Sequence, residues 1–327
     1  MRTSEFVALV SFALAVSCVS KTGGGDPSVG AGGGGRTCTT TGVVALHAGR
    51  VDDFAVMNGK AYFAGESSIL QVDVATLAET PVAFLPRYGS LSASTNALYA
   101  VAPAGGLVRV DPSNGNASML AQGPAYAPVR AGAGLVFGGT VLVDSTGHPA
   151  AVSYGNNIVL DAAVSKDGVF LSVQYALGGN GIMFAPASGG NATDVVKGGD
   201  SPSAVAVDEE WLYYTVSGQA GVFRSKHDGS EATRLGDRVA THIAVTSDTV
   251  YFTGHEPGDP GGANYWNSAD EIGKISVADG TTTILATKQV NPDLIVVSDG
   301  NVFWANRPGA PLSSTTTPTT GIFTTCR

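Results

Sequence analysis

A sequence pattern recurs with a period near 40 residues, and this repeat limits the possible folds more than any other feature of the chain. Each unit contains an apolar strand and a turn, a second strand with a central aromatic residue, a third strand and a polar turn. The aromatic positions are Tyr62, Tyr99, Phe137, Phe170, Tyr213, Tyr251 and Phe303. Repeats of this length with strand patterning predict the blades of an all-β propeller rather than a helical solenoid.

Turn chemistry and side-chain size support this prediction. Asn58-Gly59, Asp167-Gly168 and Asp299-Gly300 come directly before aromatic strands, and such pairs close two-residue hairpins. In the first strand of most units a small residue alternates with a large apolar one. The small residues are Ala55, Ser92, Ala163, Ala206 and Ala244. This alternation predicts inner strands that are buried on both faces between neighbouring blades.

One stretch carries a more specific resemblance. Between Leu212 and Leu235 the sequence LYYTVSGQAGVFRSKHDGSEATRL has Tyr213-Tyr214-Thr215 in the place of a Tyr-Trp-Thr motif. It resembles the YWTD-type extracellular propellers, although Val216 stands where that family has Asp. The resemblance implies a propeller fold and a habit of binding outside the cytoplasm, and it carries no catalytic residues.

Seven aromatic anchors predict seven blades, the last of which lacks a strand of its own. The chain ends directly after a third strand at residues 321–326, whereas the segment 42–49 precedes the first unit and has no blade. We therefore expect this N-terminal strand to complete the last blade and remove two open sheet edges. The third unit, at residues 129–155, is short and weakly patterned, so a six-bladed ring is the alternative.

Two cysteines stand at the predicted junction of the chain ends. Cys38 precedes the closing strand and Cys326 ends the strand that it would follow. A disulfide between them would close a loop of nearly the whole chain and stabilise it by roughly 5 kcal/mol in the chain-entropy model. The alternatives are two free thiols or a zinc site, but no His or Cys lies near either cysteine at zinc-finger spacing.

The N-terminus has the pattern of an export signal. Residues 6–16 form an apolar run that is too short to span a membrane, which predicts a signal peptide over residues 1–17. Small residues before Cys18 resemble a bacterial lipobox, with Ala15 in the usual place of Leu, and predict lipidation of Cys18. An ordinary secretory signal is the alternative. Residues 18–40 are predicted to be a Gly-rich linker and residues 41–327 the propeller.

Compartment and partners follow from this organisation. We expect an exported monomer that is attached to the bacterial cell envelope, in the periplasm or on the cell surface, only by its N-terminal lipid, or else secreted. The net charge of −9 and the pI near 4.9 argue against a nucleic-acid partner. The sequence contains no nucleophile elbow, P-loop or H-E-x-x-H motif, so an enzyme is the less favoured interpretation.

Residues 254–270 form the most suggestive predicted loop. Its candidate binding residues are His255, Glu256, Asp259, Tyr265, Trp266 and Asp270. Exposed aromatics stack on sugars or peptides, and His with carboxylates can bind a divalent metal. We therefore predict a surface for an unknown protein or carbohydrate partner. The alternative is an ordered loop without a ligand.

A second candidate lies at the predicted mouth of the central channel. Alignment on the aromatic anchors brings Asp53, Asp161, His242 and Asp293 to about one level, where the inner strands begin. A ring of carboxylates with a His can hold calcium or activate water. The alternative is that these side chains bond to the backbone of neighbouring strands.

Two functions follow from these candidates. The favoured one is a non-enzymatic binding or scaffold propeller outside the cytoplasm, which needs no cofactor. The alternative is a calcium-dependent hydrolase or lyase with its site at the channel mouth.

Overall fold

The computed structural model describes residues 42–64, 68–84, 90–102, 105–122, 128–197, 202–217, 219–257, 269–306 and 320–326. They all belong to the second of two units into which the chain divides, Thr40–Arg327. The signal peptide, the linker, Cys18 and Cys38 lie outside the described residues, as does the side chain of Cys326. Lipidation and the disulfide therefore stay predictions. No helix in the described ranges is long and apolar enough to cross a membrane.

The described residues form 29 strands in seven antiparallel sheets, and β1 (Val44–Ala48) belongs to the last sheet. Blade 1 contains β2 (Phe54–Met57), β3 (Lys60–Ala64), β4 (Ser68–Asp73) and β5 (Glu79–Phe84). Blade 2 contains β6 (Leu91–Ser94), β7 (Ala97–Val101), β8 (Leu107–Val110) and β9 (Ala117–Ala121). Blade 3 contains β10 (Val129–Gly132), β11 (Leu135–Gly138), β12 (Val141–Asp144) and β13 (Pro149–Ser153).

The other four blades have the same order. Blade 4 contains β14 (Ile158–Ser165), β15 (Gly168–Gln174), β16 (Asn180–Pro186) and β18 (Thr193–Val196), and its short β17 (Gly190–Asn191) pairs in parallel with β13 of blade 3. Blade 5 contains β19 (Pro202–Val207), β20 (Trp211–Val216), β21 (Val222–Lys226) and β22 (Thr233–Leu235). Blade 6 contains β23 (Val239–Val245), β24 (Thr249–His255), β25 (Glu271–Ser276) and β26 (Thr282–Ala286). Blade 7 contains β27 (Pro292–Ser298), β28 (Asn301–Asn306), β29 (Gly321–Cys326) and β1.

The blades close into a ring, which confirms the predicted seven-bladed propeller. The inner strands contact one another in the cyclic order β2, β6, β10, β14, β19, β23, β27 and back to β2. Seven hydrophobic clusters accompany these contacts, one at each junction between adjacent blades. The short third unit forms a complete four-stranded blade, so the six-bladed alternative is wrong.

Cross-strand pairing explains why small residues recur in the inner strands. In five blades the small residue lies directly opposite the aromatic anchor of the second strand. The pairs are Ala55–Tyr62, Ser92–Tyr99, Ala163–Phe170, Ala206–Tyr213 and Ala244–Tyr251. A small side chain leaves room for the aromatic ring on the same face of the sheet. Blades 3 and 7 depart from this pattern, because Arg130 stands opposite Phe137 and Val296 stands opposite Phe303.

The N-terminal strand completes blade 7, as predicted. β1 pairs antiparallel with β29, and the pairing shifts register around Leu46, whose side chain is buried between blades 7 and 1. Next to it, the His47 ring lies 4.2 Å from the Phe63 ring of blade 1. Its Nδ1 lies 3.0 Å from Oε2 of Glu79 on β5. The closing strand therefore also bridges to the first blade.

We expect the substitution Leu46→Ala to destabilise the ring by about 2 to 5 kcal/mol, because it leaves a cavity at the junction of the two chain ends. Val43→Ala is the matched control, since Val43 is exposed just before β1 and its truncation should change the free energy of unfolding by less than about 0.5 kcal/mol. Urea unfolding of both variants measures the difference. Equal stability of the two variants would show that β1 does not hold the ring closed.

Candidate functional site

The inner strands begin on the same face of the propeller as the connections between second and third strands, because adjacent strands are antiparallel. We call this the loop face. Asp53 lies directly before β2, Asp161 and Asp293 lie in the first half of β14 and β27, and His242 is the middle residue of β23. None of the four candidate mouth residues therefore lies in the half of its inner strand that is remote from the loop face.

Asp53 links three blades through hydrogen bonds. Its carboxylate accepts hydrogen bonds from the backbone N–H groups of Phe54 at 2.8 Å and of Leu91 in blade 2 at 3.0 Å. It also accepts one from the Ser90 hydroxyl at 2.8 Å, and Ser90 Oγ accepts the N–H of Val129 in blade 3 at 2.9 Å. Burial raises the pKa of Asp53, and these hydrogen bonds and Arg130 oppose the rise. This carboxylate therefore ties adjacent blades together.

Asp161 of blade 4 likewise links adjacent blades, in this case blades 3 and 5. Its Oδ1 accepts the N–H of Ala162 at 2.9 Å and its Oδ2 the N–H of Val205 in blade 5 at 3.1 Å. Arg130 Nη2 of blade 3 donates to Oδ1 at 2.8 Å. Asp161 thus holds neighbours on both sides.

Arg130 is the mouth residue that the sequence interpretation missed. Burial alone would lower its pKa, but the carboxylates of Asp161, Asp53 and Asp293 outweigh burial and raise the pKa above its usual value. A signal for this residue existed in the repeat. Arg130 stands seven residues before its anchor Phe137, at the position that is Ala or Ser in five other units.

His242 and Asp293 form a close pair between blades 6 and 7. The distance from His242 Nε2 to Asp293 Oδ1 is 2.7 Å, and the same carboxylate oxygen accepts the N–H of Leu294 at 2.9 Å. Because a carboxylate accepts, Nε2 of His242 carries the proton in this pair. The buried Nδ1 of His242 has no hydrogen-bond partner among the residues that the structure describes.

These contacts do not fit a calcium ion. Calcium needs six to eight oxygen ligands turned toward one point. The oxygens of Asp53 and Asp161 instead accept N–H and O–H donors of adjacent blades, and the Arg130 guanidinium supplies the positive charge among the carboxylates. In the part of the chain that the structure describes, no group of three or more His, Cys, Asp or Glu side chains is arranged to hold a metal.

The predicted binding loop begins later than expected, because His255 is the last residue of β24 and is 3% exposed. Glu256 follows it, and Asp270 comes directly before β25. The structure brings Arg238, which precedes β23, and Glu271 of β25 to the same place. Asp259, Tyr265 and Trp266 lie outside the described residues.

A group of charged side chains therefore surrounds the base of this loop, and we call Arg238, His255, Glu256 and Glu271 the blade 6 cluster. Arg238 Nη1 lies 3.2 Å from Glu256 Oε1, and Arg238 Nε lies 3.9 Å from Glu271 Oε2. Burial raises the pKa of Glu271; Arg238 opposes the rise, and the nearby Asp270 and Glu256 carboxylates add to it. The sequence analysis predicted His255 and Glu256 as binding residues. It did not predict Arg238 and Glu271.

Comparison with known proteins adds the fold and nothing finer. No family model and no curated protein matches this chain. Oligogalacturonate lyase from Vibrio parahaemolyticus has a TM-score of 0.61 at 10% identity, over 88% of this chain and 94% of that one. An oligogalacturonate lyase in complex with manganese has the same TM-score and shares at 13% identity. YCF48 bound to D1 peptide has a TM-score of 0.56 at 13% identity, over 86% and 95%.

The contacts of Arg130 predict a pH-dependent loss of stability on its removal. We expect Arg130→Met to lower the free energy of unfolding by about 2 to 3 kcal/mol at neutral pH. This is less than the roughly 3 to 5 kcal/mol of fully enclosed pairs, because the Arg130 and Asp161 side chains are 29% and 15% exposed. Without Arg130 the raised pKa of Asp53 rises further from 3.8, so the folded state binds more protons than the unfolded chain as the pH falls.

The deficit of the variant should therefore be largest at neutral pH and shrink as the pH falls toward about 4. Urea unfolding at both pH values measures it. Arg50→Met is the control, because the pair between Arg50 and Asp52 is exposed and worth less than about 1 kcal/mol. A deficit of equal size at both pH values would show that Arg130 packs at the mouth without balancing its carboxylates.

Proposed function

We propose that this protein is a non-enzymatic binding propeller outside the cytoplasm, which captures a protein or carbohydrate partner on the loop face of blade 6. One observation carries the proposal. The blade 6 cluster contains two buried acceptor atoms, His255 Nε2 and Glu271 Oε2, that have no hydrogen-bond partner in the described part of the chain. Buried polar atoms are nearly always paired, and each exception calls for a cause. Binding of a partner is such a cause.

The contacts at the channel mouth support a structural role for the candidate residues there. Asp53 and Asp161 direct their oxygens to the backbone of adjacent blades, and Arg130 offsets their charge. A site for a substrate or metal needs some carboxylate oxygens that are not already bonded within the protein. The mouth carboxylates therefore serve to hold the blades in register.

Location is the second part of the proposal. The export signal, a lipidated Cys18 and the Gly-rich linker would attach the propeller to the cell envelope. The fold itself is compatible with capture, since YCF48, a propeller of similar fold, is bound to D1 peptide. It is equally compatible with catalysis, since oligogalacturonate lyase has a similar fold as well. The choice between them rests on the side chains.

We expect replacement of residues 258–268 by a short Gly-Ser linker to abolish capture of envelope components by chemical cross-linking, while the melting temperature stays unchanged. The deletion spares His255 in β24 and Ala269, which is buried. The matched control shortens residues 175–179, the corresponding connection of blade 4, where Leu177 is fully exposed. Equal capture by both variants would place the binding surface elsewhere.

The second candidate is a hydrolase or lyase at the channel mouth, and one observation favours it. A His oriented by a carboxylate, as His242 is by Asp293, is the arrangement of many general bases. Metal analysis of the purified protein separates the binding propeller from a calcium-dependent enzyme. We expect no stoichiometric calcium. Calcium bound at one equivalent and lost on Asp293→Asn would favour the enzyme.

A further inference from the structure

The two unpaired acceptors of the blade 6 cluster have a defined chemistry. His255 Nδ1 lies 2.9 Å from the backbone carbonyl oxygen of Glu256. A carbonyl oxygen only accepts, so Nδ1 carries the proton. In the neutral ring, Nε2 then presents a lone pair. His255 is 3% exposed, so this lone pair is buried without a donor in the described part of the chain.

Glu271 presents a second acceptor in the same cluster. Its Oε2 accepts no hydrogen bond, and its only charged partner at this oxygen among the described residues is Arg238 Nε at 3.9 Å. That distance gives electrostatic attraction but is too long for a hydrogen bond. The side chain is 13% exposed, so it lies at the edge of the enclosed region.

The cluster therefore combines acceptors with a fixed cation. The His255 and Glu271 acceptors each need a donor, and Arg238 offers further N–H donors beside them. Hydroxyl groups satisfy both demands, since each one donates one hydrogen bond and accepts others. An ammonium group or metal ion would satisfy the acceptors alone, since it offers no acceptor to the N–H donors of Arg238.

We infer that the blade 6 cluster binds two adjacent hydroxyl groups of a saccharide, one donating to Glu271 Oε2 and the other to His255 Nε2, with Arg238 donating to their oxygens. This inference rests on the proposed function and names the chemistry of its ligand. Burial already raises the pKa of Glu271, so a hydroxyl donor would also stabilise its charged form. A site built to bond hydroxyl groups discriminates strongly against analogues that lack them.

Nitrogen NMR of the imidazole rings of the full chain provides the test, because the protein has only five His residues. The spectrum should show His255 as the neutral Nδ1–H tautomer. The probes are the methyl glycosides of galactose, glucose and mannose. We expect at least one of them to shift the Nε2 resonance of His255 in a saturable manner, and its deoxy analogue lacking one of the two hydroxyls to bind at least tenfold more weakly.

Variants make the assignment specific. Glu271→Gln should weaken binding of that glycoside at least tenfold, whereas Glu210→Gln should leave it within twofold. Glu210 is the matched control, since its carboxylate pairs with Lys226 in blade 5, at the opposite end of the strands. A circular dichroism melt checks that both variants fold. Equal binding by the two variants would overturn the assignment to this cluster.

Two further probes distinguish the ligand classes, namely spermidine for ammonium groups and calcium chloride for a metal. A saturable shift of His255 by either probe and by none of the glycosides would overturn the inference, as would the absence of any shift. If the glycosides fail while replacement of residues 258–268 still abolishes capture, the saccharide inference is wrong and the proposed function stands.

Discussion

Burial of apolar surface between adjacent blades is the constraint on which the rest of the structure depends. Each four-stranded sheet has two apolar faces and cannot cover them alone. All seven hydrophobic clusters lie at junctions between blades, including the junction of blade 7 with blade 1. Every blade needs both neighbours, so the ring is stable only when it closes. The pairing of β1 with β29 makes that closure part of one sheet and covers the edge that β29 would otherwise leave open.

The buried polar groups of the channel mouth and of the blade 6 cluster differ in their hydrogen bonding. At the channel mouth, Asp53 and Asp161 accept backbone donors from adjacent blades, and Arg130 offsets their charge, so burial of these groups serves the ring. At the blade 6 cluster, His255 and Glu271 keep acceptor atoms without donors. The cost of burying polar atoms thus separates the paired carboxylates of Asp53 and Asp161 from the unpaired acceptors of the blade 6 cluster, although His242 Nδ1 at the mouth is also unpaired among the described residues.

The residues of the candidate site differ in whether the sequence alone could predict them. His255, Glu256 and Asp270 were predicted because they cluster in one loop. Arg238 and Glu271 were not, since Arg238 precedes β23, Glu271 begins β25, and neither is marked by a motif. They meet only because β23, β24 and β25 pair side by side. Arg130 differs from both, because its position in the repeat already distinguishes it from the Ala or Ser of five other units.

The sequence by itself predicted the propeller, seven blades with six as the alternative, the strand that closes the ring and the face on which the candidate residues lie. These follow from periodic patterns, and a repeat imposes the same local geometry on every unit. Only the tertiary structure decided what the polar side chains do. A hydrogen bond depends on distances of a few tenths of an ångström between atoms of different blades, and no spacing within a single strand encodes them.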